Sequence, residues 1–150
     1  MSATVQSLAL FDPGVVRAEI LAAHDEFWDG RDTTSLLHAK WFRQFGGYGL
    51  LARDDDRTVG YLLGVVTAGG LGFVQAVAVR RGYRRTGLGQ RMWARFAQQA
   101  AVAGARELQA ITSPGNLGSI AFHTGLGMSA EEIPDYGGPG QARVVFHREL

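Results

Sequence analysis

A chain of 150 residues, 46% hydrophobic and with a formal charge of only +1, has the length for one domain with a real core and lacks the basic excess of a general nucleic-acid binder. It contains no cysteine, which excludes disulfides and thiolate metal sites. The opening MSATVQSLALF shows no charged stretch leading into a long apolar one, so no secretory signal is predicted and the expected location is the cytoplasm.

Taken in order, Thr4 to Leu10 alternates weakly and predicts an opening strand. Asp12 followed by Pro13 pairs a capping residue with one suited to the first helical position, predicting a helix to about Trp28. Asp29-Gly30-Arg31-Asp32 breaks it. Thr34 or Ser35 can then cap a second helix through Leu36, Leu37, Lys40, Trp41 and Phe45, ended by Gly46-Gly47. Leu50 to Arg53 and Thr58 to Thr67 flank the acidic turn Asp54-Asp55-Asp56 and predict a hairpin that pairs onward with Leu71 to Val79. The stretch Thr58 to Val79 holds no charge and includes a Gly60…Gly64 pair, the pattern of a membrane helix. Gly69-Gly70 in its middle and its valines favour two strands instead.

A helix follows from Leu88, with Met92, Phe96 and Ala100 at helical spacing, and stops at Gly104. Arg106 to Thr112 predicts a strand parallel to the one before that helix. Asn116 to Thr124 predicts a short helix ended by Gly125, and two last strands, Met128 to Ile133 and Ala142 to Arg148, flank the turn-rich Pro134 to Gly140. The whole reads as a single domain, 1–150, of α/β class with a mixed, mostly antiparallel sheet flanked by helices.

Chemistry concentrates where the strand ending at Val79 hands over to the helix at Leu88. Gly87 and Gly89 sit at the helix start, where free amides and the helix dipole favour an anion and a missing Cβ lets it approach. Arg80, Arg81, Arg84, Arg85 and Arg91 cluster around the same point, so a phosphate-bearing ligand is expected. A dinucleotide fingerprint fails because Met92 occupies its third glycine position, and a P-loop fails because no Gly-Lys-Ser/Thr follows.

Arg84-Arg85-Thr86-Gly87-Leu88-Gly89, after Val77-Ala78-Val79, resembles the Arg/Gln-x-x-Gly-x-Gly/Ala loop of the GCN5-related N-acetyltransferases. A second motif of that family is matched in order by Asn116, Ser119, Phe122, His123, Gly127 and Met128. The resemblance implies acetyl-CoA as cosubstrate. Amides from Arg84 to Gln90 would cradle its pyrophosphate, and the main chain of Val77, Ala78 and Val79 would pair with the pantetheine arm. Asn116, with Ser119 and Phe122 on the same short helix, would flank that arm. Arg80, Arg81 or Arg85 would reach the 3′-phosphate. It further implies acetyl transfer to an amine by direct attack, the acceptor being a small molecule or a peptide. A non-catalytic acyl-CoA-binding module, another acyl group and a hydroxyl acceptor stay open, as does a homodimer; no nucleic-acid or membrane partner is expected.

The tyrosine that many family members use to protonate the departing thiolate is matched here by His123, which the resemblance makes the candidate acid. Where relatives carry a glutamate base, this chain has Gln75, which takes no proton at neutral pH. Water, Asp25, Glu26 or Asp135 would stand in. Aromatic residues from Phe27 to Tyr48, with Asp25, Glu26, Asp29 and Asp32, are expected to wall the acceptor site and draw a cationic amine, with Asp135 to Gly140 as the opposite wall. The four histidines have no metal-ligand spacing, so no metal is predicted.

Overall fold

The computed structural model describes residues 2–150. Seven strands form one mixed sheet in the order β1-β2-β3-β4-β5-β7-β6. β1 (Thr4–Ser7), β2 (Leu50–Asp54), β3 (Arg57–Val66) and β4 (Leu71–Val79) pair antiparallel; β5 (Glu107–Thr112) runs parallel to β4; β7 (Arg143–Glu149) lies antiparallel between β5 and β6 (Ser129–Ile133). The uncharged Thr58 to Val79 stretch is therefore the β3–β4 hairpin, and among the described residues no helix is long and apolar enough to cross a membrane.

Alternation along β2 and β3 sends side chains to two separate cores. Leu50, Ala52 and Leu62 pack beneath the central helix α4 (Leu88–Val102), with its Met92, Trp93 and Phe96. Leu51, Tyr61 and Leu63 face the other way, under α1 (Pro13–Ala22), α2 (His24–Trp28) and the short turns that follow. The Gly60…Gly64 pair explains how α4 seats so closely. A Cβ at Gly60 would lie 3.1 Å from the Met92 methyl, and one at Gly64 would lie 2.7 Å from the Phe96 ring. The small residues of a membrane-like pattern here admit a helix onto a sheet.

Two expected helices are broken. The first ends at Ala23 and restarts as α2, whose C-terminal Asp29 adopts a left-handed φ of 52°. Asp12 caps it as the sequence predicts, its Oδ1 accepting from the Val15 amide at 3.0 Å. The second is a 3-10 turn at Thr34–Leu37, a single α turn α3 (Lys40–Arg43) and another 3-10 turn at Gly46–Tyr48. Its carbonyls are spent on tertiary partners: Leu37 O accepts from Arg17 Nε at 2.8 Å and Leu36 O from Gln75 Nε2 at 3.3 Å, while His38 is extended. Likewise the opening strand stops at Ser7, whose Oγ accepts from the Ala9 amide and starts a 3-10 turn. The short helix α5 (Leu117–Gly125) runs to Gly125, and the chain turns at Gly127 with φ 83°.

Candidate active site

The sheet opens between β4 and β5. Their parallel pairing runs only from Leu71↔Glu107 to Val74↔Ala110, after which the strands part. A bulge helps: Leu63 pairs with Ala76 and Gly64 with Val74, leaving Gln75 as the extra residue on β4. Beyond it Ala76 and Ala78 enter the core under α1 and α2, while Val77 and Val79 lean toward α4. The Arg80 amide donates to Val59 O at 2.7 Å in the register of the Gly60↔Val79 pair. Antiparallel alternation then turns the amides of Val77 and Val79 toward the gap, away from β3. The Val79 carbonyl is already taken, since Arg84 Nε donates to it at 3.0 Å.

A cavity of about 950 Å³ occupies this gap and is lined from both faces of the sheet. At one end lies the start of α4. Arg91 N is the first amide there with a helical acceptor, Gly87 O at 3.0 Å, so the amides of Leu88, Gly89 and Gln90 have none among the described residues. Gly87 has φ 82°, and a Cβ built on it meets nothing within 4 Å: the space over it is open. Gly89 has a different reason to be glycine, because a Cβ there would sit 3.0 Å from the Phe122 ring of α5. Val77, Ala78, Val79, Arg84, Arg85, Leu88, Gln90, Asn116, Ser119, Phe122 and His123 all line the cavity with the two glycines. Thr86 does not; its hydroxyl turns back to donate to Tyr83 O at 2.6 Å. Asn116 Oδ1 caps α5 by accepting from the Ser119 amide at 3.2 Å, which leaves its NH₂ group for the cavity.

The ring of arginines is mostly not a ring of free donors. Arg80 is buried, donating to Thr58 O at 3.1 and 2.7 Å and to Glu26 at 2.9 Å, with its guanidinium over the Phe27 ring. Arg81 pairs with Asp25 and Asp29, and Arg84 with Asp29 and the carbonyls of Glu26 and Phe27. Arg91 donates to Ala3 O at 2.9 Å. Arg80, Arg81 and Arg84 clasp α2 to the loop. The Arg84 hydrogen bond holds the Asp29 carboxyl below its usual value. Of the arginines beside the loop, Arg85 alone makes no such bond among the described residues, and it lines the cavity at the glycine end.

His123 lies where the second motif puts it, but as a buried ring. It stacks on Phe146 with centroids 4.3 Å apart and meets Trp93 and Phe122 edge-on. Its Nδ1 hydrogen goes to Ser119 O at 2.8 Å, and its Nε2 is buried with no partner among the described residues. Burial pushes its pKa down, which favours the uncharged ring. The candidate acid of the second motif thus stands in the cavity lining as a buried ring.

The far end of the cavity is formed by Trp28, Asp29, Arg31, Asp32, Thr33, Ser35 and Leu36 on one side, and by Phe73, Gln75, Ile111 and Arg143 on the other. Asp135 to Gly140 is absent from this lining; Asp135 instead accepts from the Gly140 amide at 2.8 Å and shapes its own turn. Asp25 and Glu26 are committed to arginines, and like Asp135 they do not line the cavity. Asp32 is in no ion pair among the described residues, and the Thr34 hydroxyl holds it below the usual carboxylate range. Arg143 was missed in the sequence, although β7 alternation signals it: Val144 and Phe146 enter the α4 core, so Arg143 faces the other way.

A family model described as the acetyltransferase (GNAT) family matches residues 16–128. Among solved structures, Ard1 from Thermoplasma volcanium superimposes with TM-score 0.79 at 16% identity, covering 100% of this chain and 99% of that one. The ribosomal-protein-S18-alanine N-acetyltransferase from Escherichia coli gives 0.73 at 15%, covering 99% and 94%. An aminoglycoside 6′-N-acetyltransferase complexed with coenzyme A gives 0.72 at 14%, covering 97% and 96%. At such identities the likeness shows a shared fold. A search of the curated proteins gives no match.

Proposed function

Because the chain belongs to the acetyltransferase (GNAT) family, we propose that it acts as a single domain, 1–150, moving the acetyl group of acetyl-CoA to an amine by direct attack. The observation that supports this most is the pairing of two unspent sets of main-chain donors on one cavity: the first amides of α4 and the gap-facing edge of β4.

The parts fit the cosubstrate. Open space over Gly87, with the amides of Leu88, Gly89 and Gln90 beside it, suits a pyrophosphate, and the main chain at Arg84 and Arg85 completes the turn. The Arg85 guanidinium is the cation left for a further phosphate. An extended pantetheine arm fits the edge of β4 as an added strand, hydrogen-bonded at Val77 and Val79 and flanked by Asn116, Ser119 and Phe122. The Val77 amide is placed to polarise a thioester carbonyl. When bound, the thioester supplies an acyl carbon whose bond to sulfur breaks as the bond to nitrogen forms. Gln75, tied to Leu36 O, holds the acceptor wall and takes no proton. Proton traffic from the amine to the leaving sulfur then runs through water, and His123 serves as a wall of the site.

The test is calorimetric binding of acetyl-CoA followed by thiol release over an amine panel. Micromolar binding with amine-dependent release supports the reading. Thermal protection by NAD or ATP and none by acetyl-CoA overturns the cosubstrate; protection by acetyl-CoA without release under any amine leaves an acyl-CoA-binding module.

A further inference from the structure

Six charged side chains line the cavity: Asp29, Arg31, Asp32, Arg84, Arg85 and Arg143. Asp29 and Arg84 neutralise each other, and Arg85 belongs to the glycine end. What remains at the acceptor end is two cations, Arg31 and Arg143, against one carboxylate, Asp32. Three of the four acidic residues expected to draw a cationic amine, Asp25, Glu26 and Asp29, are consumed by Arg80, Arg81 and Arg84.

Arg143 is the better placed of the two cations. It opens β7, and the pairing of Thr112 with Val144 sets it level with Ser113, just past the end of β5 and beyond the last β4–β5 pair, Val74 with Ala110. Its side chain shares the face of Ile111 and Val145, beside Phe73 and Gln75 in the cavity lining. It is half-buried, its cross-strand neighbour is the neutral Ile133, and it forms no ion pair among the described residues. Its one hydrogen bond, from Nη1 to the adjacent Ala142 O at 2.7 Å, leaves the other guanidinium donors uncommitted.

Resting on the acetyl-transfer reading, we propose that Arg143 is a specificity-determining residue and that the acceptor is an amine carrying a carboxylate, held by that guanidinium. A guanidinium offers a carboxylate two parallel hydrogen bonds, strongest where water is partly excluded, as in this wall. An acceptor with several ammonium groups would instead bring like charge to Arg31 and Arg143. Phe73, Ile111 and Leu36 supply apolar surface for the carbon skeleton between the two groups.

The experiment compares each amino acid with its decarboxylated partner at saturating acetyl-CoA: L-phenylalanine against phenethylamine, L-methionine against 3-(methylthio)propylamine, with spermidine as the polycation. The carboxylated member of each pair should have kcat/KM at least about tenfold higher, mainly through KM, as loss of a charge-assisted hydrogen bond implies. Arg143→Gln should lower kcat/KM for phenylalanine about tenfold more than for phenethylamine. Equal use of both pair members, a preference for spermidine, or equal losses in Arg143→Gln would overturn the assignment. If acetyl-CoA binds but no amine is turned over, transfer itself fails, and thermal shift with coenzyme A present decides this point separately. Protection by phenylalanine and not phenethylamine, lost in Arg143→Gln, upholds the carboxylate site; equal protection by the two refutes it.

Discussion

The two ends of the cavity are built from different materials. At the glycine end the functional groups are main-chain amides, fixed by the strand–helix junction at Gly87 and by the gap-facing edge of β4. At the acceptor end they are side chains on α2, on a 3-10 turn and on β7, held together by arginines that reach across the chain. Main-chain geometry depends on where the glycines fall and so leaves a pattern in the sequence. Side-chain geometry depends on which charges find each other after folding, and it leaves none.

The largest effect should come from breaking the main-chain end. Gly87→Val puts a β-branched side chain at φ 82° and fills the open space over the helix start. Loss of one or two charge-assisted hydrogen bonds predicts roughly 10²-fold weaker acetyl-CoA binding by calorimetry, at a strain cost of about 1–3 kcal/mol to the apo protein. Unchanged affinity would mean that the cradle lies elsewhere.

A smaller and opposite split is expected from Asp29→Asn, since asparagine tolerates the left-handed φ of 52° while releasing the charges on Arg81 and Arg84. The acceptor KM should rise by about three- to tenfold while acetyl-CoA affinity moves less than about twofold, and stability should fall by under about 1 kcal/mol because these pairs are exposed. If acetyl-CoA affinity falls as far as acceptor affinity, the two ends are one coupled unit and the contrast above is wrong.

His123→Phe sharpens the comparison with the least effect. As a wall residue, His123 can be replaced by phenylalanine with turnover kept within about threefold; a fall of about 10²-fold or more would restore the imidazole to the chemistry. The same variant reads pH. With the folded pKa pushed below the ordinary 6.5, the unfolded chain binds the extra proton first. Stability from this group is therefore complete above pH 6.5 and declines as pH falls through the window below it. Urea melts should show that slope in the parent and a flatter one in His123→Phe.

The strands, the β2–β3–β4 pairing, the parallel crossover to β5 and the glycine loop were legible in sequence because each rests on local periodicity and on glycines at fixed offsets. Of the residues expected to hold the pyrophosphate and the pantetheine arm only Thr86 is absent from the cavity lining, and its hydroxyl found an acceptor three residues back, at Tyr83. The arginine clasp was not legible, since Arg80 reaches Glu26 across 54 positions and Arg84 reaches Asp29 across 55. Nor was the fragmented second helix, because propensity cannot reveal that Arg17 and Gln75 will claim the carbonyls of Leu37 and Leu36. The Gly60…Gly64 pair was legible only as an anomaly until Met92 and Phe96 were seen against it.

One consequence of the parted strands concerns traffic. The cavity is bounded by Leu88, Asn116 and Phe122 on the α4 side of the sheet and by Trp28, Ser35 and Leu36 on the other, so the gap runs through the sheet from one layer to the other. On the acetyl-transfer reading, a nucleotide-bearing donor held on the α4 side and a small acceptor held on the α2 side would meet at the strand edge between them, and neither would have to leave for the other to enter.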